Sequence, residues 1–120
     1  MISEAIQHIV EQIVPNTYFK VADEGITVPY AIHDEQETPI RNKEGLAGYS
    51  YSCQIAVVDN LPDKIKQYKS QIIEAMEGMT GQTICDTNIS QVAYINDEIG
   101  FDPSDRQYLT ILNFNIITVI

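Results

Sequence analysis

The hydrophobic period changes several times along the chain, and each change predicts an element. Near the start, Ile6, Ile9, Val10 and Ile13 recur at offsets of three, four and seven, the spacing of one helix face. Ser3 stands in capping position, and Pro15 ends the helix because the residue before a proline is forced out of the helical region. The period then becomes two. Thr17 to Ala22 alternates Phe19 and Val21 with Tyr18 and Lys20, and Asp23-Glu24-Gly25 supplies a turn. A second strand is expected from Pro29 to Asp34, with Tyr30 and Ile32 on one face. A third runs from Tyr49 to Val58, with Tyr49, Tyr51, Cys53, Ile55 and Val57 facing one way and Ser50, Ser52 and Gln54 the other. Alternation of this kind marks an antiparallel sheet with one wet face.

Pro62 to Glu77 carries the clearest helical pattern, a stripe of Ile65, Tyr68, Ile72 and Met76. Pro62 suits the first turn, Asp63 suits the positive N-terminus, and Gly78 is placed to close the helix. A fourth strand is expected from Ile89 to Asn96. A fifth runs from Arg106 to Thr118, with Tyr108, Leu112, Phe114 and Ile116 opposite Asn113 and Asn115. Between these two, Asn96 to Asp105 reads as a carboxylate-rich turn. The resulting order is α-β-β-β-α-β-β. It predicts an α+β fold in which both helices cover one face of a single, mainly antiparallel sheet of about five strands.

Two features of this layout point outward. Glu35 to Ala47 is polar and aperiodic, so it reads as a long loop in a single domain spanning residues 1–120. Structureless stretches of that length inside a small domain are usually functional or disordered, and Thr38, Pro39, Ile40, Arg41, Asn42 and Lys43 become the candidate contact with another subunit or partner. The last strand is strongly apolar, and at a bare sheet edge it would invite aggregation. It must therefore pair centrally or lie beneath another subunit.

Charge narrows the partners. Seventeen Asp and Glu against seven Lys and Arg give −10 over 120 residues. Such a chain repels phosphate backbones and anionic lipid, which excludes sequence-independent nucleic-acid binding and membrane adhesion. The opening Met1 to Val14 carries Glu4, Glu11, two Gln and a His, unlike a signal peptide or a membrane span. The carboxylates are spread evenly, nine up to Asp59 and eight from Asp63 onward, but no basic residue lies between Lys69 and Arg106. Lys64, Lys66 and Lys69 form the one basic cluster and read as a solvated helix face.

Candidate chemistry is sparse. The chain has no nucleophile elbow, no glycine-rich phosphate loop, no dinucleotide fingerprint and no H-E-x-x-H. Cys53 and Cys85 lack metal-ligand spacing, and nothing in the spacing of His33 and Cys53 supports a dyad. Asp97, Glu98, Asp102 and Asp105 fall within nine positions, yet not in the alternating pattern by which a calcium loop converges its oxygens. Asp34, Glu35 and Glu37 form a second acidic group. No catalytic residue, cofactor or metal is expected. Two other classes remain open: a small acidic adaptor or inhibitor that binds a basic partner, and a small enzyme or cation-binding domain built on the final acidic hairpin.

The order of elements adds a resemblance. Val28-Pro29-Tyr30-Ala31-Ile32 opening a strand, the mid-chain helix Pro62 to Glu77, and the close Tyr108-Leu109-Thr110-Ile111-Leu112-Asn113-Phe114 resemble the small tail-terminator, or tail-completion, proteins of long-tailed bacteriophages and prophages. The resemblance spans nearly the whole chain. It implies an α+β subunit that assembles in the bacterial cytoplasm as a ring, typically a hexamer, and ends in the tail or neck of the virion. The ring would cap the tail tube, stop its growth and meet the head connector. It implies no catalytic residue and no cofactor. DNA would pass through such a ring without specific binding, and a negative lumen suits that passage. One of the two acidic groups, Asp34, Glu35 and Glu37 or Asp97, Glu98, Asp102 and Asp105, is therefore expected to face the channel.

Overall fold

The structure, a computed structural model, describes residues 2–120. Two helices lie on one face of a six-stranded sheet. Helix α1 spans Ile2–Glu11 and is followed by β1 (Thr17–Phe19), β2 (Tyr30–Asn42) and β3 (Gly45–Asp59). Then come α2 (Pro62–Glu77), β4 (Thr83–Ile84), β5 (Thr87–Asp102) and β6 (Gln107–Val119). The strand order is β1-β2-β3-β6-β5-β4. Every pairing is antiparallel except β1 with β2, which is parallel. The sheet is therefore mixed and has one strand more than expected.

The expected polar loop is strand. Residues 35–42 continue β2 and pair with β3 as far as Asn42 opposite Gly45, leaving a two-residue turn of Lys43 and Glu44. Gly45 sits at φ +117, a conformation that glycine reaches without strain. Pro39 is tolerated because its missing N–H would point away from β3. On β2 the Ala31 N–H donates to Asn16 and the His33 carbonyl accepts from Lys20, so odd residues turn their peptide groups toward the outer edge. Pro39 shares that parity, and proline in a sheet is confined to such edges.

The carboxylate-rich turn is shorter than expected for a related reason. Strand β5 runs through to Asp102 and shifts register between Ile89 and Gln91 and again between Tyr94 and Asn96. Each bulge changes which alternate residues face the helices. Ile89 does so first, then Val92 and Tyr94, then Asp97, Ile99 and Phe101, opposite Thr118, Ile116, Phe114, Leu112, Thr110 and Tyr108. A strict period of two cannot follow such a strand.

Between helices and sheet lies the core. Ile2, Ala5, Ile6 and Val10 of α1 and Ile65, Ile72 and Met76 of α2 pack on Cys53, Ile55, Val57, Leu112, Phe114 and Ile116. Strand β6 is central, between β3 and β5, so its apolar run is covered on the helix side and paired on both edges. Ser3 does not cap α1, because the helix already includes Ile2; its hydroxyl donates to Glu35 instead. Gly78 stays right-handed at the end of α2, and the left-handed residue beyond it is Gly81 at φ +78. At Gly48 of β3 a Cβ would run into the Thr118 carbonyl oxygen of β6.

Candidate assembly surfaces

The two acidic groups are split by strand alternation. Glu35 and Glu37 lie on the helix side of β2, opposite Cys53 and Tyr51, whereas Asp34 lies on the open side opposite Gln54. Glu35 is not a surface carboxylate. Its side chain is 2% exposed and bonds the His33 Nδ1 at 2.6 Å, with His33 itself 1% exposed. The other ring nitrogen of His33 meets the Gln7 Oε1 at 2.7 Å, and the Gln7 amide donates to the Thr17 carbonyl. Both imidazole nitrogens are thus occupied, and Cys53 has no base. Burial, and then the nearby carboxylates of Glu35 and Asp34, push the Cys53 thiol well above its ordinary value.

Glu37 accepts a hydrogen bond from the Tyr51 hydroxyl. Burial and that carboxylate push Tyr51 up to about 12. In the second group Asp97 faces the helices and pairs with Lys69 of α2 at 2.8 Å. The Lys69 ammonium, and next the Tyr94 hydroxyl, hold Asp97 below the usual carboxylate range. Glu98 and Asp102 lie on the open face, opposite Ile111 and Gln107. Asp105 is in the exposed turn, and Asp102 accepts the Ser104 N–H. The four carboxylates do not converge on a point. Among the described residues, no group of three His, Cys, Asp or Glu side chains is placed to hold a metal ion.

Thr38 to Lys43 forms the outer part of the β2–β3 hairpin. Arg41, Asn42 and Lys43 are exposed at its tip. The tip of β5–β6, residues 103–106, lies at the opposite end of the sheet, because β3 and β6 are antiparallel. The molecule is correspondingly long, 53 × 26 × 21 Å.

Neither helix covers the second face of the sheet. Its middle is polar: Asp34, Gln36, Ser52 and Gln54 line a hollow of about 180 Å³, and the Asn113 amide donates to Asn96 beside it. Tyr30, Ile32, Ala56 and Ile111 continue it toward one end. By register, no Lys or Arg from Tyr30 to Thr38 of β2, from Gly48 to Val58 of β3, or on β5 and β6 projects there. The basic cluster Lys64, Lys66 and Lys69 is on α2, across the sheet.

A further groove runs between α2 and β5. Ile65, Ile73 and Ile99 line it with Lys66, Lys69 and Ser70, and it holds about 390 Å³. Ile99 is 60% exposed, and Phe101, two residues on, is exposed as well. Helical stripes and strand alternation gave no sign of this surface, since Ile99 faces the helices only after the second bulge.

No family model matches the sequence, and no curated protein matches it either. Among solved structures, a chain in the virion of a native gene transfer agent particle shares the fold, with a TM-score of 0.75. The likeness covers 98% of this chain and 93% of that chain at 12% sequence identity. No helix among the described residues is long and apolar enough to cross a membrane.

Proposed function

We propose that this chain is a structural subunit of a phage-like virion, a tail-completion protein that forms a ring on the end of the tail tube and joins it to the head connector. The observation that carries the reading is the end-to-end likeness to a chain of a gene transfer agent virion. The role asks no catalysis and no cofactor of the protein. A ring through which DNA passes needs a wall that does not hold phosphate, and like charge prevents adhesion. The open sheet face suits that wall, with a polar middle, the carboxylates of Asp34, Glu98 and Asp102, and its basic helix cluster turned away. Glu35, Glu37 and Asp97 lie on the other side and take no part in it. The Thr38–Lys43 tip, reaching one end of the long axis, then serves as a contact with tail tube or connector.

Light scattering on the purified full chain tests the reading. A mass of several copies, with a central opening in negative-stain images, is expected. A monomer across the micromolar range, or a filament without closure, would overturn the ring.

A further inference from the structure

We infer that neighbouring copies in the ring join head to tail, the β1 edge of one copy with its Phe19–Glu24 segment seated in the α2–β5 groove of the next. The inference rests on the ring reading and names the surface that closes it. The register places the two halves at one height. Across the sheet, Thr17, Ala31, Val57, Thr110 and Ile99 form one row, and Phe19, His33, Ile55, Leu112 and Asp97 form another. The outer edge of β1 is thus level with the outer edge of β5 around Asp97 and Ile99. Strand β1 is parallel to β2, and three antiparallel steps lead from β2 to β5. A copy related by rotation about an axis along the strands therefore presents β1 antiparallel to its neighbour's β5, with no rise between copies. A heterologous contact closes into a ring only under that last condition.

Side, shape and charge agree. Phe19 stands on the helix side, its ring 5.3 Å from that of His33, and the groove is on the helix side of β5. Phe19 is 46% exposed and Val21 75% exposed, an apolar pair matched to Ile65, Ile73 and Ile99. Asp23 and Glu24, exposed just after Val21, match the exposed Lys66 on the groove's rim, Lys69 being paired with Asp97 of its own chain. In a chain of net charge −10, self-association needs its few cations opposite carboxylates, since like charges facing each other oppose docking.

A charge exchange tests this, with the mass of the full chain read by light scattering and the fold checked by circular dichroism. The residues exchanged are all exposed, so the monomer is expected to keep its melting curve. Lys66→Glu alone, and Asp23→Lys with Glu24→Lys alone, should each weaken assembly at least tenfold in concentration. The three changes together should restore the ring. Rings that persist in both partial variants would overturn this contact while leaving the ring reading intact, and so would partial variants that dissociate with no restoration in combination. A wild-type chain that never assembles would overturn the ring reading itself, and this contact with it.

Discussion

His33 and Glu35 occupy two successive helix-facing positions of β2, where Ala31 precedes them and an aliphatic pair would ordinarily follow. Instead the sheet buries an acid and a base 2.6 Å apart, tied to Ser3 and Gln7 of α1. Taking both groups out of water is costly, and the pair's mutual attraction offsets that cost only while both partners stay. Glu35→Ala should therefore destabilise the protein by about 3–5 kcal/mol, because it leaves the imidazole and the Ser3 hydroxyl without their acceptor. His33→Leu combined with Glu35→Leu should recover most of that loss, since an apolar pair of similar volume often serves as well. Urea unfolding midpoints decide the matter. A double variant as weak as the single one would mean that the hydrogen bonds to α1, rather than the pair, hold the helix in place. A His-x-Glu spacing on a strand was the only sign of this network in the sequence, and it becomes legible once Ala31, not Ile32, is known to face the core.

At the scale of elements, Lys69, Asp97 and Tyr94 form a clasp between α2 and β5. Tyr94 is pushed up to about 12, first by its hydrogen bond to Asp97 and then by burial. A phenol raised above its ordinary value stabilises the fold fully below about pH 10 and loses that contribution as pH climbs toward 12. Asp97, held low by Lys69, works at the other end of the scale. Its contribution is complete above the ordinary carboxylate value and fades as pH falls through the lowered one. Asp97→Asn should move Tyr94 back toward 10, so that one more tyrosinate appears early in an ultraviolet titration between pH 10 and 12. An unchanged titration would remove Asp97 as the cause. Asp97 of the clasp lies where the sequence predicts a turn, and the difference has a physical origin. Helix α2 was legible from Pro62 to Glu77 because one stripe faces one sheet throughout. Strand β3 was legible because its alternation runs unbroken from Tyr49 to Val57. Strand β5 carries two bulges, the outer part of β2 needs few apolar residues beyond α1, and β4 is too short to show a period. The first expected strand, Thr17 to Ala22, is present but stops at Phe19, where Lys20 turns to φ +67.

For the whole molecule, the separation of charge by face has a consequence that amino-acid counts do not. The net charge of −10 would repel DNA wherever its carboxylates lay, but adhesion inside a ring depends on the wall alone, within a screening length of about 8 Å at physiological salt. If the open face is the wall, two substitutions there change the behaviour of the entire assembly. Asp34→Lys with Asp102→Lys replaces two carboxylates by two ammonium groups in every copy, on the open face and clear of the core, the α2–β5 groove and the stretch of β5 around Asp97 and Ile99. Such rings should retain double-stranded DNA in a filter or gel assay at low salt and release it as salt rises, because phosphate contacts exchange with counterions. The same change of charge made on α2, as Glu74→Lys with Glu77→Lys, both exposed, should not retain DNA threaded through the ring. Equal retention by both variants, or none by the first, would place the open face away from the lumen and leave the helices to line it.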